Sequence, residues 1–267
     1  MDPVTRLYEY LDECNREEVA TYTQRGRRFN PSGIHQCPRA IAYKHLGHVP
    51  RVVPGFISLY GQDGEICHDS VRWLLKRAGV PLRGLEFDET TGRIKELLYF
   101  RKDVTHNGQT FTVSGRADGE IFLEDTDEWA PLEIKSIDGF KYRYILQAYQ
   151  RGELHDYLMN GNKGSYKKWY MQTTLTSHML GYDKTYMLFK DRSLCQIGMY
   201  DKVNDLREGG CIMPVDKELL NEMFSKAAFI TEYVNKDELP PLMLCPTEGS
   251  YECKTLCSYN HICRKKG

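Results

Sequence analysis

Apolar positions recur at helical spacing over residues 3–18, 38–46, 166–180 and 216–235, the last run closed by Pro240 and Pro241. The clearest case is GEICHDSVRWLLKRA, residues 64–78, where Ile66, Val71, Leu74 and Leu75 fall on a helical repeat. Residues 24–36 read as loop, carrying Gly26, Pro31 and Gly33. Extended segments are expected at 84–88, 95–104, 110–123 and 130–137, and again in TYMLFKD and LCQIGMYDKV. The polar run EDTDE, 124–128, joins the third and fourth of these into a hairpin. Helix, antiparallel strands, helix and strands in that order predict an α/β or α+β sheet flanked by helices.

That hairpin brings chemistry together. Side chains alternate along a strand, so in PLEIKSI, residues 131–137, Leu132, Ile134 and Ser136 share one face while Glu133 and Lys135 share the other. An isolated Glu-x-Lys is ordinarily an exposed ion pair. A turn centred on 125–126, however, sets residue 123 opposite 128 and Asp118 opposite Glu133. Asp118, Glu133 and Lys135 then occupy one patch of sheet. Two carboxylates suit a hard divalent cation such as Mg²⁺, which can activate water and offset charge on a phosphate. A lysine beside them can orient the attacking water.

Composition changes the picture in three places. The chain has 267 residues, 41% hydrophobic and 27% charged, enough for a substantial core, and no run approaches a membrane span. Net charge is −1, but residues 19–62 hold six cations (Arg25, Arg27, Arg28, Arg39, Lys44 and Arg51) and no acid. Residues 141–169 carry six cations and six aromatics against Glu153 and Asp156. Such interleaving suits a nucleic-acid strand, although cationic runs are more often solvated surface. The first residues, MDPVTRLYEYLDECNREE, lack the pattern of a signal peptide, so a reducing cytoplasm is expected. Nine cysteines, an odd number, argue against a closed disulfide framework. Cys253, Cys257 and Cys263 in ECKTLCSYNHIC read instead as metal ligands.

These fragments resemble, in order, the PD-(D/E)xK phosphodiesterases of the RecB-like branch. SGRADGEI resembles the strand that supplies the acidic ligand, here Asp118. LEIKS resembles the Glu-x-Lys strand, here Glu133 and Lys135. GEICH resembles the Gly-x-x-x-His helix whose histidine joins the metal, here His68. MQTTLTSHMLG is similar to the Gln-x-x-x-Tyr helix ahead of Leu-Gly, which points to Gln172; Thr176 stands where the family has Tyr, and Gln147 is the alternative. HQCPRAIAY is similar to the Cys-Pro-Arg-x-x-x-Tyr opening of the members that carry an iron–sulfur cluster, in which one cysteine precedes the core and three follow it. That points to Cys37, Cys253, Cys257 and Cys263. The gap from Cys253 to Cys257 is one residue longer than usual, which leaves Cys245 as a rival ligand. Four thiolates can hold a [4Fe–4S] cluster or a zinc ion, and the one-plus-three arrangement favours the cluster.

The resemblance implies a restriction-endonuclease-like central mixed sheet flanked by helices, with N- and C-terminal segments joined at a metal cluster. One nuclease domain is expected over 1–267, with an extension at 1–36, a catalytic core at 64–203 and cluster-binding segments at 37 and 245–263. Mg²⁺ or Mn²⁺ would be held by His68, Asp118, Glu133 and the carbonyl of Ile134, with Lys135 and Gln172 catalytic. Implied is exonuclease action on single-stranded DNA or DNA ends, in a prokaryotic or phage-infected cell. The DNA contacts expected are Arg39, Lys141, Arg143, Lys167, Lys168 and Trp169, with the Arg25–Arg28 region as a second candidate guide. Alternatives are a nuclease subunit working with a protein partner in recombination or CRISPR adaptation, and a non-catalytic DNA-binding scaffold. The gap from Lys135 to Gln172 suggests an insertion holding the basic, aromatic segment.

Overall fold

A computed structural model describes residues 2–22, 26–52, 54–91, 94–161, 166–192, 196–201, 206–208, 210–242, 253–254 and 257–263. Arg25, Cys195 and Cys245 lie outside the described residues. The elements are α1 (Pro3–Ala20), β1 (Arg28–Phe29), α2 (Pro38–His45), α3 (Gly55–Arg77), β2 (Leu82–Arg83), β3 (Leu85–Phe87), β4 (Ile94–Leu97), β5 (Tyr99–His106), β6 (Gln109–Arg116), β7 (Glu120–Leu123) and β8 (Glu128–Ile137). There follow α4 (Gly139–Gln150), α5 (Leu154–Asn160), α6 (Lys167–Leu180), β9 (Lys184–Asp191), β10 (Gln196–Ile197), β11 (Met199–Asp201), β12 (Leu206–Glu208), β13 (Cys211–Pro214), α7 (Lys217–Asn235) and α8 (Asn260–Cys263). The protein is thus mixed α/β. The chain forms two compact units, one of residues 1–63, 103–113 and 222–267, the other of 64–102 and 114–221.

The first unit is built on aromatic packing. Phe29 meets His45 edge-on at 4.7 Å and Phe111 at 5.4 Å, and Phe111 meets Phe224 at 6.1 Å. The β5–β6 hairpin turns through Asn107 and Gly108, at φ of 47° and 72°, the positive values that a tight two-residue turn demands. Helix α2 starts at Pro38, whose missing N–H costs nothing in a first turn. Against α2 lies the cysteine-bearing tail: Tyr259 stacks on Tyr43 with ring centroids 5.7 Å apart, and the amide of Arg51 donates to the carbonyl of Ser258 at 2.8 Å.

The second unit holds the main sheet, in the order β10-β9-β8-β7-β2, with β13 also on β9. Strands β8 and β9 run parallel, Ile134 beside Leu188, while the other pairs in this sheet are antiparallel. On one face Val71 of α3 packs with Ile121, Leu132, Ile134 and Leu188. On the other lies α6, whose Ser177 hydroxyl bonds the Thr185 hydroxyl of β9.

Two expectations change. The inward stripe of α3 runs through Cys67, Val71 and Arg72, whereas Ile66 is 70% exposed and Leu74 50%. Val71 and Leu75 of the expected stripe do pack on the sheet, while Cys67 and Arg72 take the inward places expected of Ile66 and Leu74. The basic, aromatic segment after Lys135 forms α4 and α5, which bury Tyr142, Ile145, Ala148, Leu154 and Leu158. A parallel β8–β9 pair requires a crossover connection, and α4, α5 and α6 supply it.

His45 carries a test of the first unit. Its Nε2–H donates to the carbonyl of Arg28 at 3.0 Å. Burial dominates, outweighing that bond, and with Lys44 and Arg27 nearby it lowers the pKa from 6.5 to about 4. The folded state therefore holds the ring neutral, while the unfolded chain takes up a proton below its own pKa. This contribution to stability is full above about pH 6.5 and declines as pH falls towards about 4, by at most about 3 kcal/mol. Urea midpoints of His45→Gln should change less between about pH 7.5 and pH 5 than those of the parent chain.

Candidate active site

The β7–β8 hairpin has the register that the turn at 125–126 implies, with Leu123 beside Glu128 and Glu120 beside Pro131. Before Glu120 the backbone leaves the strand at Gly119, φ +129°, where a Cβ would lie 2.9 Å from Cδ1 of Leu85. Only glycine fits there without displacing Leu85. This bend delivers the Asp118 carboxylate, whose Oδ2 accepts the amide of Ile134 at 2.7 Å. A side chain thus takes a bond that the neighbouring strand would otherwise supply.

Helix α3 approaches the same carboxylate with two residues one turn apart. His68 Nδ1 lies 3.3 Å from Asp118 Oδ1. Arg72, 4% exposed, donates through Nε to the Asp118 carbonyl at 2.9 Å, through Nη2 to Oδ1, and through Nη1 to Asp69 at 2.9 Å.

The neighbouring strand position carries a closed triangle. Lys135 Nζ lies 2.5 Å from Glu133 Oε1 and donates to Gln172 Oε1 at 2.9 Å; Gln172 Nε2 donates to Glu133 Oε1 at 2.9 Å. Gln172 reaches the pair from α6, while Gln147 is exposed on α4. Thr176, one turn beyond Gln172, is 3% exposed, and its hydroxyl has no hydrogen-bond partner among the described residues.

The two carboxyls have opposite tendencies. For Asp118 burial opposes ionisation, but the His68 bond, the charges of His68 and Arg72, and the Ile134 amide outweigh it, holding the pKa well below the carboxylate range. For Glu133 burial dominates and the Asp118 charge adds to it, so its pKa is raised despite Lys135. Divergent carboxyls in one small volume mark a functional site more often than a structural one.

Among the described residues no three His, Cys, Asp or Glu side chains are grouped so as to hold a metal ion. Arg72 and Lys135 instead neutralise the carboxylates. The donor chemistry, two carboxylates and an imidazole, nonetheless fits a hard divalent cation. Cys37, Cys253, Cys257 and Cys263 are half-buried thiols outside any disulfide. Cys37 caps α2, and Arg39, two residues on, interacts with Cys263.

The remaining expected contacts are spread differently. Arg39 uses Nη1 on the carbonyl of Pro240 at 2.8 Å and Nη2 on the Tyr43 hydroxyl at 3.3 Å, so its guanidinium is engaged within its own unit. Lys141 and Arg143 are exposed on α4 and Lys168 on α6; Lys167 is half-buried. Trp169 packs on Tyr166 at 4.7 Å and on Phe189 at 6.4 Å. Phe189 is the β9 neighbour of Lys135. No sequence motif points to Arg72, though an arginine four residues beyond His68 on an apolar helix face is a usable signal.

No family model and no curated protein matches this sequence. Among solved structures, the crystal structure of SSO0001 aligns over 96% of this chain and 95% of its own, at 16% identity and a TM-score of 0.49. The alkaline exonuclease LHK-Exo from Laribacter hongkongensis aligns over 83% of this chain and 93% of its own, at 11% identity and a TM-score of 0.45. Its complex with dAMP aligns over 79% and 89%, at 10% identity and a TM-score of 0.42. Likenesses of this strength assign neither activity nor residues to this chain.

Removing Arg72 would take from the largely buried Asp118 carboxylate the guanidinium that, with His68 and the Ile134 amide, holds it ionised. Arg72→Met should cost about 3–5 kcal/mol in urea unfolding. In a double-mutant cycle, the loss should shrink by more than about 1 kcal/mol once Asp118 is already Asn. Additive losses would separate the two residues energetically.

Proposed function

We propose that this protein is a metal-dependent DNA nuclease of the PD-(D/E)xK class, RecB-like, acting as an exonuclease on single-stranded DNA or DNA ends. The observation that carries the reading is the triangle of Glu133, Lys135 and Gln172 beside the Asp118 turn. Glu133 is 3% exposed. Desolvating an ion pair costs several kcal/mol that its attraction often fails to recover, so a buried Glu–Lys pair is poorly explained by stability alone.

His68, Asp118, Glu133 and the Ile134 carbonyl would hold Mg²⁺ or Mn²⁺. When bound, such a cation lowers the pKa of water and offsets charge on a phosphate. The chain's own residues do the rest. Arg72 and the Ile134 amide fix the Asp118 carboxylate in one orientation. Gln172 holds the side chains of Glu133 and Lys135 in one mutual geometry. Lys135 Nζ, a compact cation with three donors, orients the attacking water and offsets charge on the phosphoryl oxygens. Lys141, Arg143, Lys167 and Lys168 would meet phosphates, and so would Arg39 if it gave up its bonds to Pro240 and Tyr43.

Lys135→Ala should lower Mn²⁺-dependent cleavage of end-labelled single-stranded DNA by about 10²–10⁴-fold. It also leaves the buried Glu133 without its cation and should lower the unfolding midpoint, so cleavage is compared on protein whose far-UV circular dichroism matches that of the parent. Gln172→Ala should lower it by about 10–100-fold. Circular single strands should resist the parent enzyme. Undiminished cleavage by Lys135→Ala overturns the assignment.

The same reading gives Cys37, Cys253, Cys257 and Cys263 to a structural [4Fe–4S] cluster. The packing of Tyr259 and Ser258 against Tyr43 and Arg51, with Arg39 on Cys263, supports it. Four thiolates so bridged would close a loop of more than about two hundred residues, restricting the unfolded chain. Protein prepared without air should be brown, with about four iron and four acid-labile sulfide per chain. Cys37→Ser should lose both. A colourless preparation with stoichiometric zinc would replace the cluster by zinc.

A further inference from the structure

Helix α4 breaks the rule that large apolar side chains face inward. Its inner face is made by Tyr142, Ile145 and Ala148. On its outer face Phe140 is 70% exposed and Tyr144 46%. The two rings meet edge-to-face, centroids 5.5 Å apart at 73°, and so present a joined aromatic surface to solvent. Isolated exposed apolar residues are ordinary, whereas a phenylalanine paired with a second exposed ring is an apolar patch that asks for an occupant.

The surrounding charge selects the occupant. From Gly139 to Gly152 there are three cations, Lys141, Arg143 and Arg151, and no acid. The flanking Asp138 and Glu153 pair with Lys141 at 3.5 Å and Arg151 at 3.0 Å, exposed pairs weak enough for a phosphate to replace the carboxylate. Each of the three is exposed. Two rings set among cations complement a polyanion that also offers flat apolar faces, which describes unpaired nucleic acid. A lipid surface would ask for a broader apolar stripe than one ring pair on a helix of 12 residues. Helix α4 also starts four residues after Lys135, at the end of the strand that carries the Glu133–Lys135 pair.

We propose that Phe140 and Tyr144 form a stacking platform for unpaired bases of a nucleic-acid single strand, with Lys141 and Arg143 on its phosphates. The proposal deepens the nuclease reading and rests on it for the source of the strand. A base stacked on an aromatic ring is bound largely without regard to sequence, since every base has a π-face. The platform would therefore hold a strand firmly while allowing it to advance as residues are removed.

Binding measured in EDTA separates this proposal from catalysis. Fluorescence anisotropy would compare a labelled oligothymidylate of about fifteen residues with an abasic oligonucleotide of equal length and charge. The parent protein should prefer the thymidylate by about tenfold or more. Phe140→Ala with Tyr144→Ala should erase that preference while leaving abasic binding as it was. Lys141→Gln with Arg143→Gln should weaken both ligands alike and reduce the salt dependence by about two charges. The platform is overturned by an aromatic double variant that keeps the thymidylate affinity, by a parent protein indifferent to bases, or by no binding to either. Loss of cleavage alongside the expected binding pattern would sink the nuclease reading and leave the platform standing.

Discussion

The second unit is arranged around the cost of placing two carboxyls side by side in a sheet. Asp118 and Glu133 lie close enough that the charge of one raises the pKa of the other. In a low-dielectric interior that repulsion has to be offset locally, and each acid has its own solution. Asp118 is held ionised by His68, Arg72 and a backbone amide. Glu133 is balanced by Lys135, and Gln172 fastens that pair. Gly119, α3 and α6 can each be understood as conditions for this arrangement. A side chain at Gly119 would be strained at φ +129° and would have to displace Leu85, next to the residue whose carboxylate accepts the Ile134 amide.

Polar residues gathered in this way serve chemistry better than they serve stability. A well-packed apolar pair would be cheaper at these positions. What the charged set offers is preorganisation, because Asp118, Glu133 and Lys135 are each already held by a second residue. Thr176, on α6 one turn beyond Gln172, stands apart from the bonded set. Its hydroxyl is buried and unmatched among the described residues, where a tyrosine would carry its oxygen further.

The first unit follows a different logic, in which aromatic stacking ties segments far apart in the chain. Tyr43 and Tyr259 bring the tail onto α2, and Phe29, Phe111 and Phe224 join three further segments. The sequence resemblance connects Cys37 to the terminal cysteines, and the packing of residues 257–263 on α2 gives that connection a physical setting. Arg39 makes two bonds inside this unit, to the carbonyl of Pro240 and to the Tyr43 hydroxyl. Charge counting along residues 19–62 could not reveal that use.

Local rules carried much of the fold. The hairpin register follows from one polar turn and two-residue alternation, so the closeness of Asp118 and Glu133 is legible in the chain itself. Helices α1, α2 and α7 are legible from spacing and from the prolines near their ends, and α6 from spacing and the left-handed Gly181 that closes it. Spacing alone misjudges part of the α3 stripe, because Ile66 and Leu74 look like core letters while Cys67 and Arg72 take the inward places. It also treats residues 141–169 as added material, when parallel pairing of β8 with β9 needs a crossover of that length. Arg72 shows where sequence stops. An arginine on an inward helix face signals a buried partner, but which partner is decided only when packing brings Asp118, 46 positions away, within reach of its guanidinium. Residues up to four apart are set by backbone geometry, whereas partners that distant are chosen by burial and charge together.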